Sequence, residues 1–301
     1  MTQGIQNNFR QKSLLWFSRS GFSLLVGVLL LPVGARYALT LPDDTIAQAT
    51  QRREATEQEA TRAAAERAFQ EGVQLFQQGT VESLLQAITK FEEALPLYRA
   101  LGNKAGEAST LNNIGGIYHA LGEKEKALDY FNQSLPLSRA TGNEAGEAAT
   151  LNNIGAIYSD FGDQEKALEF YNQSLPLSRS GGDKATEAAT LTNIGVIYSE
   201  LGDKEKALDY FNQSLPILRE TGDKSREART LTNIGAIYSE LGDKEKALEF
   251  YNQSLSIFRA TGNKAREART LTNIGAVYSE LGDKEKALDY FNQSLPILRE
   301  T

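Results

Sequence analysis

A chain of 301 residues with 41% hydrophobic content carries enough apolar material for a buried core, which argues against wholesale disorder. Its net charge of −7, from 39 acidic and 32 basic residues, argues against nucleic acid as a partner, since a phosphate backbone asks for a basic face. Without cysteine there are no disulfides, thiolate metal sites or cysteine nucleophiles.

Arg10, Lys12 and Arg19 precede an apolar run from Phe22 to Val33, followed by Gly34 and Arg36. A basic flank before a dozen apolar residues is a signal-peptide pattern, and the run is short for a bilayer span. Ala47-Gln-Ala49 offers small residues in the spacing of a cleavage site, although far from the run. Residues 1–49 therefore read as a signal peptide or as an uncleaved membrane anchor, and the chain as exported (periplasmic or secreted) or membrane-anchored rather than cytoplasmic. Residues 50–66, rich in Ala, Glu, Gln and Arg, read as a helical lead-in or linker.

From residue 67 the chain is repetitive. The phrase Leu231-Thr-Asn-Ile-Gly-Ala-Ile-Tyr238 recurs in close variants at Leu111, Leu151, Leu191 and Leu271, always forty residues apart. A divergent repeat (67–102) precedes five close ones (103–142, 143–182, 183–222, 223–262, 263–301). Tyr198–Thr221 and Tyr278–Thr301 are identical residue for residue, the mark of recent duplication. A fixed period of this size means stacked copies of one unit.

Each copy resolves into two helices. Leu231, Ile234, Tyr238 and Leu241 recur at helical spacing, then Ala247, Leu248, Tyr251, Leu255 and Phe258. Asp223 and Asp243 suit N-caps and Gly242 suits the left-handed residue after a helix. Gly235 and Ala247 allow close approach, with Tyr238 expected to fill the space beside them. Proline at 96, 136, 176, 216 and 296 is expected to bend the second helix of each copy except the one carrying Ser256. The architecture is all-α, a right-handed solenoid of antiparallel helix pairs in about six repeats.

The recurring Leu-x-x-Ile-Gly-x-x-Tyr, then Gly, then Ala-x-x-x-Tyr/Phe, resembles the tetratricopeptide repeat (TPR). It departs in having Leu at the family's tryptophan-type first position, Ser for a late alanine, and a period of forty rather than thirty-four. That longer period is similar to kinesin light chains and to bacterial repeat arms associated with caspase-like CHAT peptidases. The resemblance implies a non-enzymatic scaffold that binds a peptide or partner segment in a groove lined by first helices. Two alternatives remain: the regulatory or sensory arm of a split or truncated CHAT system, and a self-assembling solenoid. The chain stops at Thr301 without a polar capping helix, so self-association through that end is a further expectation.

Catalytic material is sparse. His119 is the only histidine, and serine replaces it in the other close copies. The dipeptide Gly-Lys never occurs, so no P-loop is present. Carboxylates such as Asp203, Glu205 and Asp209 recur in register and read as caps and solvated faces. Asn212-Gln-Ser214 fits a glycosylation sequon but falls within a predicted helix. No cofactor or metal is expected.

The groove candidates are the amides Asn113, Asn153, Asn193, Asn233 and Asn273, which can offer both donor and acceptor to a ligand backbone. An equal alternative is that they hold neighbouring repeats together. Ser199 and Ser239 complete the polar groove set. Copies differ at the start of the first helix, which becomes Arg226-Glu-Ala-Arg229 and Arg266-Glu-Ala-Arg269 in the last two. Arg229 and Arg269 are expected to give a basic floor for an acidic protein or peptide. Arg226 and Arg266 are expected to pair with Glu on neighbouring turns.

Overall fold

In a computed structural model of the chain, residues 43–300 are described. From residue 50 onward the described residues form one compact unit. The apolar run Phe22–Val33, on which the signal-peptide and anchor readings rest, lies outside the described residues. No described helix is long and apolar enough to cross a membrane.

The described residues form twelve helices and no strand. They are α1 (Asp43–Gln78), α2 (Val81–Ala100), α3 (Lys104–Ala120), α4 (Lys124–Thr141), α5 (Glu144–Asp160) and α6 (Gln164–Ser180). After these come α7 (Lys184–Glu200), α8 (Lys204–Thr221), α9 (Lys224–Glu240), α10 (Lys244–Ala260), α11 (Lys264–Glu280) and α12 (Lys284–Glu300). Each helix from α2 onward packs on its successor, and α3, α5, α7, α9 and α11 also meet in sequence, which makes an α-solenoid. The lead-in is not a separate element, because α1 runs without a break through residue 66. Its burial begins at Ala65 and Ala68, where Ala94 and Tyr98 of α2 cover it.

The links obey cap chemistry. Asp223 accepts from the Arg226 amide at 2.9 Å and Asp243 from the Lys246 amide at 3.1 Å, satisfying first-turn donors of α9 and α10. Gly242, at φ +84°, takes the left-handed turn between them.

The core lies between copies. Ala207, Phe211 and Leu215 of α8 pack on Leu231, Ile234 and Ile237 of α9, and α10 meets α11 in the same way. A fully buried Leu, Ile or Phe stabilises by about 1.5–3 kcal/mol, so stacking is what makes a single pair viable.

Three details correct the sequence reading. The ring against Gly235 is Tyr251, not Tyr238; a Cβ on Gly235 would sit 2.8 Å from the Tyr251 ring. Tyr238 instead stacks on Phe250, with centroids 5.5 Å apart. Leu241 is not core: it ends its helix 54% exposed, and the buried position on that turn is Ile237.

The second helices run on through Pro96, Pro136, Pro176, Pro216 and Pro296. Pro216 and Asn212 are both exposed, so the carbonyl that proline leaves without a backbone donor meets water. The serine replacing the family's late alanine also has a role. Ser214 and Ser254 are fully buried and donate to the Ala188 and Ala228 carbonyls at 3.1 and 2.9 Å, tying second helix to first.

Candidate functional site

The five asparagines fall on one register of the first helices, all half-buried, yet they do two different things. Asn153 donates through Nδ2 to Asn112 Oδ1 at 3.2 Å, and Asn193 to Asn152 Oδ1 at 3.1 Å, each reaching back into the preceding copy. The same acceptors take the hydroxyls of Thr150 and Thr190 at 3.3 and 3.1 Å. Asn113 bonds its own helix, at the Ser109 carbonyl. In this half the amides are engaged, Asn153 and Asn193 in the stack and Asn113 on its own helix.

Asn233 and Asn273 are not. The residues facing them in the preceding copies are Thr192 and Thr232, where earlier copies have Asn112 and Asn152. Thr192 Oγ1 lies 2.9 Å from the Ala188 carbonyl and 2.7 Å from Ser214 Oγ, the hydroxyl that donates to that carbonyl. Thr232 lies likewise against Ala228 and Ser254. Across the repeat boundary Thr192 Oγ1 meets Thr230 Oγ1 at 3.4 Å, and it gives Asn233 no amide oxygen of the kind that Asn112 gives Asn153. Among the described residues the Asn233 and Asn273 side chains make no hydrogen bond. This Asn-to-Thr change was readable in the repeated phrase, but its consequence needed the neighbouring copy in place.

The arginines converge on those two amides. Arg229, Arg266, Arg269, Asn233, Asn273, Thr232 and Thr270 line an open cavity of ≈ 230 Å³, together with Val196 and Phe258. Arg229 also borders a smaller recess with Arg226, Thr192 and Asn193.

Neutralising partners are lacking here. Glu227, 5% exposed, is held by Arg219 Nε at 3.1 Å and Lys224 Nζ at 2.8 Å. Glu267 is held likewise by Arg259 and Lys264. Burial would raise the Glu227 pKa, but hydrogen bonds from Lys224 and Arg219 outweigh it and hold the carboxyl below its usual range.

Arg226 pairs with the capping Asp223 at 2.6 Å rather than with a glutamate. The cap of α11 is Asn263, which has no charge to give, so Arg266 is left without an ion pair, contrary to the sequence expectation. Arg229 and Arg269 have none either among the described residues. Desolvation, then the charges of Arg229 and Arg269, lower the pKa of Arg266: three guanidiniums crowd one another with no anion between them.

The N-terminal half of the same face differs in kind. Phe69, Ser109, Asn112, Asn113, Gly146 and Thr150 border a cavity of ≈ 330 Å³ with no arginine on its wall. Ser199 and Ser239 are not brought to either cavity; Ser239 accepts from Lys244 through its carbonyl at 2.7 Å, at the far end of α9. His119 Nε2 lies 2.7 Å from Asp160 Oδ2 of the next copy, and no hydroxyl is bonded to its ring among the described residues. No group of three or more His, Asp or Glu suited to a metal occurs among the described residues.

Stacked helix pairs, with two cavities bordered largely by residues of their first helices, define a repeat protein of the α-solenoid class. The chain belongs to the tetratricopeptide repeat family, whose model matches residues 81–140, 146–220, 188–260 and 226–300. No curated protein matches the sequence. Solved structures that it resembles include BtubC (BKLC) from P. vanneervenii, at 20% identity and a TM-score of 0.62, covering 72% of this chain and 91% of that one. A Rap protein complexed with competence and sporulation factor gives 16% identity and 0.55, covering 79% and 75%. A kinesin light chain-like protein of nearly identical repeats from Podosopora anserina gives 15% and 0.51, covering 64% and 95%. At these identities the likeness is one of fold.

Proposed function

We propose that this protein is a non-enzymatic scaffold whose groove takes an acidic segment of a partner protein, with the acidic part over α9 and α11. The observation that carries this reading is the cluster of Arg229, Arg266 and Arg269 beside the unengaged amides of Asn233 and Asn273. Guanidinium forks bind carboxylates in two-point fashion, and a free amide can pair with a ligand's backbone. Many cations of the described residues are matched by neighbours: Lys206, Lys246 and Lys286 each pair with a capping aspartate and lie over a tyrosine ring. What sets the three arginines apart is that they line one cavity together without a carboxylate on its wall. The Rap structure, with its bound factor, offers a precedent for ligand binding on a similar fold.

The test is capture of partners by the full chain beside an Arg229→Glu/Arg269→Glu variant. Acidic segments retained by the first and lost by the second support the reading. Equal retention by both removes it.

A further inference from the structure

The donors around Arg266 outnumber what a carboxylate can accept. One guanidinium satisfies the two oxygens of a carboxylate by itself. Here three guanidiniums and two amides border one cavity, and no carboxylate lines it. A single negative charge would leave most of that positive charge unbalanced. A phosphomonoester brings three terminal oxygens and a charge of about −1.5 to −2 near neutral pH. Its geometry and charge match a site that crowds planar, bidentate donors into ≈ 230 Å³.

We propose that the cavity lined by Arg229, Arg266, Arg269, Asn233 and Asn273 is a phosphoryl site, taking a phosphorylated side chain of the segment in the groove. The inference rests on the groove reading above. Its three cations come from two successive repeats, so the site exists only where α9 and α11 are neighbours. The first three close copies have Gly106, Gly146 and Thr186 at the Arg266 position, and Ser109, Ala149 and Ala189 at the Arg229 position. The array therefore carries one such site, and the ligand has a fixed register along it. The amides bordering the cavity would hold the ligand's backbone on either side of the phosphorylated residue. Arg226 stays outside the set because Asp223 already engages it.

The experiment uses the full chain and two degenerate peptide pools of matched net charge at one ionic strength. One pool carries a fixed phosphoserine and the other carries two fixed glutamates. The phosphoserine pool should bind at least about tenfold tighter, and Arg266→Gln should remove that preference. Preference should also weaken between about pH 7.5 and about pH 5, as the phosphoryl group gains its second proton. Thermal melting of Arg266→Gln, checked beside Arg269→Gln, should match or exceed the parent, because neither side chain has an ion pair to lose and each removes a like charge from the cluster. Equal affinity for the two pools overturns the phosphoryl site while leaving the acidic-segment reading in place. Failure of both pools to bind overturns both. A phosphoserine preference that survives Arg266→Gln and Arg269→Gln locates the group elsewhere and overturns the assignment.

Discussion

Asn153 reaches back across a repeat boundary to Asn112 at 3.2 Å, whereas Asn233, in the same register two copies later, has Thr192 opposite it and bonds nothing among the described residues. One side-chain change between copies thus converts a structural amide into an available one. Thermodynamically the two should separate cleanly. Asn153→Ala should cost on the order of 1 kcal/mol in urea unfolding, and Asn233→Ala should stay within about 0.5 kcal/mol. Equal losses would mean that Asn233 has a structural role.

Charge reversal gives the complementary pattern. Arg229→Glu/Arg269→Glu should leave the melting temperature unchanged or raise it, since it relieves the crowding around Arg266, and weaken binding of an acidic peptide pool by at least about tenfold. Raising the salt concentration should weaken binding to the parent in the same direction. Calorimetric melting and fluorescence anisotropy read the two effects separately.

Gly235 illustrates a tight constraint. A methyl group there would lie 2.8 Å from the buried Tyr251 ring, so the ring or the helix has to shift. Gly235→Ala should destabilise by about 1–3 kcal/mol despite the better helix propensity of alanine. Denaturant unfolding checks the sign: a gain in stability would show that the ring shifts freely.

Acid should loosen the joints between repeats. Glu187, Glu227 and Glu267 have pKa values held below the usual range, where burial is outweighed by hydrogen bonds from the flanking Lys and Arg. A depressed folded-state pKa contributes stability that is present above the unfolded value of about 4.3 and is lost as pH falls through the folded value. Melting temperature should therefore drop below about pH 4.5, and Glu227→Gln should be less stable at neutral pH and show a shallower acid loss. An acid profile unchanged by Glu227→Gln would show that this clamp contributes nothing.

Much of the fold was legible because duplication repeats every signal in register. The Leu–Ile spacing, the glycine that ends the first helix and the alanine of the second helix each appear in all five close copies, so local ambiguity averages out. What could not be read is which side chain fills a shared space. Tyr238 and Tyr251 are both aromatic at helical spacing, and only the crossing of α9 and α10 decides that Tyr251 meets Gly235. The site was half legible. Arg229 and Arg269 stood out as the variable positions, but Arg266 was expected to pair with Glu on a neighbouring turn and has no ion pair among the described residues, while Glu267 serves Arg259 and Lys264. The decisive difference between Asp223 and Asn263 was visible in the sequence; its effect on the arginine three residues later depends on side-chain reach.

The central claim is that ligand binds over α9 and α11 rather than along the whole groove. The most direct measurement places a photo-cross-linking residue at Asn273 or at Asn113 in the full chain and exposes each variant to the same acidic peptide pool. Strong cross-linking at position 273, abolished by Arg229→Glu/Arg269→Glu, with little at position 113, is the predicted result. Equal cross-linking at both positions, insensitive to the arginines, would contradict it.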